Sequence, residues 1–399
     1  MAAAAQSFSG HMRKLGDVLQ FSNEIVHPKD NPTGITTFVG LEHIERDTGI
    51  RTGSETVDLE LMTGRRARFQ AGDIVYGYLR PYLNKVWIAE FDGICSVDQY
   101  VFKVRPTADR NYVYHFLRSA EFLKTAPIDT APGQLPRIRS GEISATPIPL
   151  PPLSEQKRIA AILDKADQLR QKRRQAIALL DSLTQSIFLE MFGDPVSNPK
   201  GWDDRFILSD VADIGSGITK GRPMRGQSTR SVPYLAVANV QDRALNLKAV
   251  KEIDASDDEI ARYRLLRDDL LVTEGGDPDK LGRGTLWSEE LPEAIHQNHI
   301  FRIRFKDSRI MPLFANWLVG SERGKKYFLR SAKQTTGIAS INKTQLSNFP
   351  VLLPPIVLQL EFAEKTRNVC SMQTALSAKN LLLDTLFSSL QQRAFSRLL

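Results

Sequence analysis

The sequence is poor in the residues that build covalent or metal scaffolds. Its 399 residues include two cysteines, Cys95 and Cys370, and six histidines. Two thiols cannot form a disulfide framework or a four-cysteine zinc site, and such low cysteine usage is typical of proteins in a reducing compartment. We therefore expect a cytoplasmic protein without a structural metal.

Long apolar runs are also missing. The segment Phe349–Leu358 is among the longest, but prolines interrupt it, and it falls short of the roughly 20 residues that span a bilayer. The sequence therefore predicts no membrane span. With 42% hydrophobic and 25% charged residues, and a length above the roughly 100 to 200 of one domain, it is typical of a globular protein with at least two cores.

The charge balance is mildly basic. Lysine and arginine outnumber aspartate and glutamate by 53 to 46, which gives a net charge of +7. This excess is compatible with a polyanionic partner, but many proteins that never touch nucleic acid share it.

The chain repeats itself. Residues 147–153, Pro-Ile-Pro-Leu-Pro-Pro-Leu, return as Pro-Val-Leu-Leu-Pro-Pro-Ile at 350–356, displaced by 203 positions. Leu-Asp-Ser-Leu at 180–183 returns as Leu-Asp-Thr-Leu at 383–386 with the same displacement. Weaker matches upstream keep the same order. Each half therefore consists of a variable domain, a proline-rich junction and a long helix.

Both long helices carry apolar residues at heptad spacing. The first is predicted from Ser154 to the Gly193-Asp194-Pro195 stop, about 38 residues later. The displacement of 203 is 29 heptads, so the second helix keeps the register. We expect the two to pack as an antiparallel coiled coil, the alternative being that each packs on its own globular neighbour. The predicted seam comprises Ile159, Ile162, Leu169, Leu180, Leu183, Ile187, Phe362, Val369, Leu376, Leu383, Leu386 and Leu390.

The variable domains are predicted to be α+β. In the first, strands are expected at 73–78, 86–89 and 100–104, followed by a helix at 112–124. The second repeats this order with strands at 270–273, 284–287 and 300–305 and a helix at 312–329. The shared order indicates a shared fold.

Basic, glycine- and proline-containing loops are the candidate functional sites. One follows a predicted strand in each half, at 78–85 and at 274–284. Arginine and lysine there can approach phosphates or pair with guanine, tyrosine can stack, and asparagine can read adenine. For each loop, the alternative is an ordinary solvated turn. The candidate DNA contacts, in the loops and other basic clusters, are Arg65, Arg66, Arg80, Tyr82, Lys85, Arg137, Arg139, Lys220, Arg222, Lys280, Arg283, Asn342 and Lys343.

No catalytic constellation stands out. The sequence has no Walker A motif and none of the Asn/Asp-Pro-Pro-aromatic elements that amino-methyltransferases use. His296 and His299 invite a metal interpretation, but residues three apart in a strand point to opposite faces. We therefore predict no catalytic residue, no metal site and no cofactor site in this chain.

The arrangement resembles the specificity subunits of Type I restriction–modification systems. The motifs that carry the resemblance are Lys-Leu-Gly-Asp-Val at 14–18, Leu-Arg-Pro-Tyr-Leu-Asn-Lys at 79–85, Pro-Leu-Pro-Pro-Leu-Ser-Glu-Gln at 149–156, Phe-Gly-Asp-Pro at 192–195, residues 274–284, His-Gln-Asn-His at 296–299 and Gly-Ile-Ala-Ser-Ile-Asn at 337–342. The second helix departs from the pattern, because Val-Leu-Gln at 357–359 replaces Ser-Glu-Gln.

The resemblance implies a division of labour along the chain. Two target-recognition domains, residues 1–152 and 196–356, would each read half of a bipartite, asymmetric site in double-stranded DNA, and helical regions 153–195 and 357–399 would set the gap between the halves. Two modification subunits would bind S-adenosylmethionine and methylate adenine, and restriction subunits with translocase activity would join for cleavage. Because one loop has the Leu-Arg-Pro-Tyr form and the other Gly-Gly-Asp, the two halves should read different sequences.

Two other functions remain open at this stage. A structural or regulatory protein could dock on a modification complex through its helices without reading bases, in which case its DNA footprint would be independent of sequence. A stand-alone methyltransferase would require motifs that the sequence lacks.

Overall fold

The computed structural model describes residues 12–130, 135–223, 228–276, 281–335 and 338–396. The chain forms two compact units. Unit 1 contains the residues up to Ala176 together with those from Leu376 onward, and unit 2 contains Ile177–Ala375. Within the described residues, no helix is long and apolar enough to cross a membrane.

Unit 1 is built on two sheets. The four-stranded sheet has the order β2-β10-β7-β8 and is antiparallel, and the five-stranded sheet has the order β3-β6-β9-β4-β5. Its elements are β1 (Met12–Lys14), α1 (Leu15–Val18), β2 (Leu19–Phe21), β3 (Ile25–Val26), β4 (Ile35–Val39), β5 (Glu55–Asp58), β6 (Arg66–Phe69), β7 (Ile74–Gly77), β8 (Val86–Ile88), β9 (Gly93–Cys95), β10 (Gln99–Val104), α2 (Arg110–Leu117), α3 (Ala120–Thr125), α4 (Ser140–Ala145), β11 (Pro147–Pro149) and the first half of α5 (Leu153–Phe192).

Unit 2 repeats the four-stranded sheet, here with the order β13-β22-β18-β20. Its elements are β12 (Asp203–Ile207), α6 (Leu208–Val211), β13 (Ala212–Ser216), β14 (Arg230–Leu235), β15 (Val240–Gln241), β16 (Ala244–Leu245), β17 (Lys251–Ala255), α7 (Asp257–Tyr263), β18 (Leu270–Thr273), β19 (Gly275–Gly276), β20 (Gly284–Leu286), β21 (Ile295–His296), β22 (Ile300–Phe305), α8 (Pro312–Val319), α9 (Glu322–Ser331), β23 (Lys333–Thr335), β24 (Ile338–Ser340), α10 (Lys343–Ser347), β25 (Pro350–Leu353) and the first half of α11 (Ile356–Phe395).

The α+β prediction is confirmed, and the predicted strands end within one residue of the observed ones. The two helices predicted after them are wrong in one respect, because each is broken into two. Ser119 separates α2 from α3: its hydroxyl donates to the Phe116 carbonyl and accepts from the amide of Phe122. Gly320 and Ser321 separate α8 from α9 at the matching place, and the Ser321 hydroxyl donates to the Leu318 carbonyl. A serine side chain that satisfies both helix ends stabilises such a break.

A buried glutamine fixes the start of each long helix against its own unit. Gln156 Oε1 accepts from the Asp109 amide and its Nε2 donates to the Pro151 carbonyl. Gln359 repeats the arrangement, accepting from the Met311 amide and donating to the Pro354 carbonyl. Both glutamines are at most 1% exposed. Gln359, which Val-Leu-Gln shares with the Ser-Glu-Gln of the first helix, thus anchors the start of the second helix.

The two long helices run antiparallel where they meet in unit 2. Asp181 accepts from Gln373 at 2.6 Å. Phe188, seven residues further along α5, packs edge-to-face against Phe362, which lies eleven residues earlier in α11 than Gln373. Phe192 also packs on Phe362. The order of contacts in one helix is therefore the reverse of that in the other, as the sequence predicts.

The predicted seam is partly out of phase. Ile162, Leu169, Leu183 and Leu386 are 37 to 51% exposed, so their assignment to the seam is wrong. The buried face of α5 instead includes Leu163, Asp167, Arg170 and Thr184. Polar residues hold much of this face, and a search for apolar heptads passes over them. Of the other predicted positions, Ile159, Phe362 and Val369 are buried, and Leu180, Ile187, Leu376, Leu383 and Leu390 are half-buried.

Candidate DNA interface

In each unit, the loop after a central strand pairs with a second segment that is distant in sequence. In unit 1 the Arg80 amide donates to the Pro136 carbonyl at 2.7 Å, and a β-bridge joins Leu79 to Arg137. In unit 2, β19 follows β18 and pairs with β24, and the Ile341 amide donates to the Glu274 carbonyl. The fold thus brings together two loops that lie more than 50 residues apart in sequence.

The loop of unit 1 has a constrained backbone. Arg80 and Asn84 both have φ of 49°, in the left-handed region, on either side of a short 3₁₀ turn at 81–83. The side-chain amide of Asn84 donates through Nδ2 to the Arg118 carbonyl, and this bond ties the loop to the end of α2. Arg80 and Tyr82 are exposed, Tyr82 by 49%. Both side chains are accessible to a ligand on a pre-shaped turn.

Lys85 has a different environment. Its ammonium is half-buried and donates to the Leu41 carbonyl at 2.6 Å. This contact joins the loop to the five-stranded sheet. In the described structure, Lys85 therefore orients the loop, whereas Arg80 and Tyr82 present its surface.

The remaining basic side chains of unit 1 lie around two clefts. Arg65 is exposed at a cleft of about 510 Å³ that Tyr78, Gln99 and Tyr100 also line. The two tyrosine rings stack at 4.4 Å, and desolvation raises the pKa of both phenols, so both stay neutral. Arg66 instead lies over the Phe38 ring at 5.4 Å, in a second cleft.

Arg137 and Arg139 follow the bridge with Leu79. Arg137 is half-buried and donates to the Leu135 carbonyl at 3.5 Å. Arg139 is exposed and forms an ion pair with Asp129 at 2.7 Å. The Leu79–Arg137 bridge places the backbone of this segment beside the loop that carries Arg80.

The predicted residues of unit 2 have more varied roles. Arg222 pairs bidentately with Glu259, at 2.5 and 2.6 Å, and this holds the pKa of Glu259 at about 2. Arg283 is half-buried and donates to Gln241. Asn342 caps α10: its side chain accepts from the Gln345 amide. Lys220 and Lys343 are exposed. Lys280 lies outside the described residues.

Sequence reasoning missed an arginine cluster on β22. Arg304 forms an ion pair with the fully buried Asp269 at 2.7 Å, and its guanidinium also donates to the Arg264 carbonyl. Arg302 donates to the Arg262 carbonyl, and desolvation followed by the nearby Arg304 charge lowers its pKa. The signal is present in Ile-Phe-Arg-Ile-Arg at 300–304, whose alternate arginines share one face of a strand.

Among the described residues, one cluster has side chains of the kind that bind metals: Glu42, His43 and Glu55. The hydrogen bonds of the His43 ring do not suit a metal ligand. His43 Nδ1 accepts from the Gly40 amide at 3.0 Å, so in the neutral ring Nε2 carries the proton. Nε2, which faces Glu55 at 3.6 Å, then has no lone pair for an ion. His299 forms a 2.6 Å pair with Glu274, and His296 is buried with Nδ1 on the Ile300 carbonyl.

Burial of His296 predicts a pH-dependent loss of stability in unit 2. Desolvation lowers its pKa from 6.5 to about 4. Below pH 6.5 the unfolded chain binds a proton that the folded chain does not, so stability falls between pH 6.5 and 4, by about 3 kcal/mol at the lower end. Urea unfolding of wild type and His296→Gln across this range should show a shallower pH dependence in the variant. Parallel curves would contradict the assignment.

The chain is similar to known specificity proteins. The family described as Type I restriction modification DNA specificity domain matches residues 11–179. The Type I restriction enzyme EcoDI specificity subunit of Escherichia coli is 31% identical over 183 residues, which are 45% of this chain and 40% of that protein. The StySPI specificity subunit of Salmonella potsdam is 23% identical over 289 residues, 69% of this chain and 62% of that protein. The chain thus spans less than two thirds of either relative.

Solved structures share the fold. A chain from a study of complex assembly and conformational transition of the type I R-M system superposes with a TM-score of 0.60 at 20% identity, covering 96% of this chain and 97% of that one. The S subunit of a Type-I restriction-modification system from M. genitalium gives 0.55 at 13% identity, covering 96% and 95%. The similarity includes both units and both long helices.

Proposed function

Because residues 11–179 match the family described as Type I restriction modification DNA specificity domain, we propose that the chain is the sequence-reading subunit of such a system. Each unit reads one half of a bipartite, asymmetric site in double-stranded DNA, and the long helices set the gap between the halves. The chain is an adaptor rather than an enzyme. It positions two modification subunits, which bind S-adenosylmethionine and methylate adenine, and restriction subunits join them for cleavage.

The duplicated loop pairing is the observation that carries this proposal. In both units a strand-end loop and a segment distant in sequence are joined by backbone hydrogen bonds. Side chains on such a platform are pre-positioned, so little conformational entropy is lost when they bind. A sequence-reading surface requires this property, because base contacts demand fixed geometry.

The side chains divide into three groups by their surroundings. Arg65, Arg80, Tyr82, Arg137, Lys220 and Lys343 are exposed or half-exposed, and we assign direct DNA contacts to them. Lys85, Arg222, Arg283 and Asn342 make internal hydrogen bonds and shape the platform. Arg66 lies over the Phe38 ring and Arg139 pairs with Asp129. Phosphate contact is the simplest role for both.

Neutralising the unit 1 loop is expected to reduce the electrostatic part of binding. In the double variant Arg80→Gln, Arg137→Gln, two phosphate-reaching charges are lost. The slope of log affinity against log salt should fall by about two, and the affinity for a cognate duplex at least tenfold. Fluorescence anisotropy across a salt series measures both quantities.

A matched control removes the same charge elsewhere in unit 1. Arg46 and Arg110 are exposed and lie outside the loop pairing. Arg46→Gln, Arg110→Gln should bind with a slope close to that of wild type. If both double variants lose the same slope, the loop is not the interface. Methylome sequencing of cells with and without the chain then tests the function itself: a bipartite adenine-methylation motif should disappear with the chain.

A further inference from the structure

Two internal alignments allow the units to be compared residue by residue. The serines that end α2 and α8 both donate to the carbonyl three residues earlier, at 2.6 Å, so α2 matches α8 with an offset of 202. Gln156 and Gln359 match the long helices with an offset of 203. Equivalent positions around the helix pair can therefore be assigned in both units.

In unit 1 the space between α2 and the long helices is filled by a charged network. Arg118 pairs with Asp167 at 2.9 Å, and Arg170 pairs with Asp384 at 2.6 Å. The Arg170 guanidinium also lies over the Phe387 ring at 4.3 Å. Two guanidiniums and one aromatic ring thus occupy this region.

In unit 2 the equivalent positions hold smaller or shorter groups. Gly320 replaces Arg118, Cys370 replaces Asp167, Gln373 replaces Arg170, and Thr184 replaces Phe387. A cleft of about 800 Å³ lies there, and Cys370, Gln373 and Thr184 line it. The carboxylate is retained: Asp181, which matches Asp384, accepts from Gln373 at 2.6 Å. The cleft therefore keeps the anion of the unit 1 network without its guanidinium.

The cleft carries excess negative charge. Asp181, Asp242 and Glu290 line it, against the single cation Arg243. Arg243 lies over the Trp317 ring at 3.9 Å and pairs with Asp242 at 3.1 Å. Its positive charge is therefore already balanced by Asp242 within the cleft wall. A cation is the ligand that this imbalance favours.

A buried hydroxyl also points to an occupant. Thr366 is 5% exposed, lines the cleft, and its Oγ1 has no hydrogen-bond partner. The equivalent residue of unit 1 is Leu163, which is buried in the apolar core. A buried hydroxyl that stays unpaired is unfavourable, because it has lost its hydrogen bonds to water. A donor that enters the cleft would satisfy it.

We propose that this cleft receives an arginine side chain of the modification subunit, an inference that rests on the proposed function. The guanidinium pairs with Asp181, as Arg170 does with Asp384 in unit 1, and can donate to Thr366. Half-buried Leu245, Leu247, Leu286 and Leu313 also line the cleft. Such apolar walls favour the methylene stem of a side chain over a free ion. Unit 1 supplies its own arginine at the equivalent place, so the dependence on a partner is specific to unit 2.

A substitution in the chain itself can supply the guanidinium that unit 2 lacks at the position of Arg170. In Gln373→Arg the new side chain can pair with Asp181 and occupy the cleft, so the Kd for the modification subunit encoded with this chain should rise at least tenfold. Asp181→Asn, which removes the anion, should have a similar effect. Asn368→Arg is the matched control, because it adds the same charge to an exposed position of α11 that does not line the cleft. Isothermal titration calorimetry measures the three variants against wild type.

A second measurement needs no variant. Cys370 is exposed and lines the cleft, whereas Cys95 is buried. Binding of the modification subunit should slow alkylation of Cys370 by N-ethylmaleimide at least tenfold. Unchanged Kd in Gln373→Arg and Asp181→Asn, or an unprotected Cys370 in the complex, would overturn the cleft assignment alone. Equal protection by free L-arginine would show a small-molecule site instead. Failure of the wild-type chain to bind the modification subunit at all would overturn the proposed function and the cleft assignment together.

Discussion

Replacing Arg118 with alanine should lower the free energy of unfolding of unit 1 by about 3–5 kcal/mol. The Arg118 side chain is 1% exposed and donates to Asp167, to the Tyr114 hydroxyl and to the Asp47 carbonyl. Its removal takes a donor from the Tyr114 hydroxyl and the Asp47 carbonyl, and leaves the Asp167 carboxylate, which is 10% exposed, with Arg170 at 2.9 Å as its remaining ion-pair partner. Loss of one partner of a buried ion pair is costly because the remaining charge stays desolvated.

Urea unfolding followed by hydrogen exchange at the α2 amides measures this loss in unit 1 separately from unit 2. Arg46→Ala is the control, because the Arg46–Asp47 pair is more than half exposed and such surface pairs contribute about 0–1 kcal/mol. An Arg118→Ala protein as stable as Arg46→Ala would show that Arg170 alone neutralises Asp167.

Insertion of one heptad into both long helices is expected to change the recognised DNA site. Each helix is continuous over 40 residues, and each contributes one half to each unit. Seven residues added after Ala176 and seven after Ala375 lengthen both helices by about 10 Å and keep their buried faces in phase. If the helices set the gap, the methylated motif should keep both half-sites and gain about three base pairs between them.

Methylome sequencing of cells that carry the insertion variant reads out the gap directly. Insertion into one helix alone is the control: it shifts that helix along its partner by one heptad, so the contacts beyond the insertion no longer match, and it should abolish methylation. A double insertion that still methylates the original motif would contradict a role for the helices in spacing.

The sequence predicts the fold well and the helix contacts less well, for a physical reason. Strands are correct to within one residue because they carry short apolar runs, which in β7 and β18 are buried at every position. The seam is out of phase because Asp167 and Arg170 occupy buried positions through pairing with Arg118 and Asp384, which lie 49 or more residues away. A local pattern carries no information on such partners.

The loops illustrate the same limit. Their position after a strand could be predicted, and Arg80 and Tyr82 are exposed as a binding role requires. The internal roles of Lys85 and Arg222 could not, since their acceptors Leu41 and Glu259 become neighbours only after folding. Asn342 is the exception: Gln345 three residues later is a capping-box signal readable from sequence.

The strands that open and close each globular unit lie side by side. Strand β1 pairs antiparallel with β11, and β12 with β25, and a long helix begins within four residues of each closing strand. A globular domain whose first and last strands are adjacent can be exchanged without displacing the segments on either side of it. If unit 2 reads one half-site as proposed, replacing Asp203–Leu353 by the corresponding segment of a related protein should leave one half of the recognised motif intact and change the other.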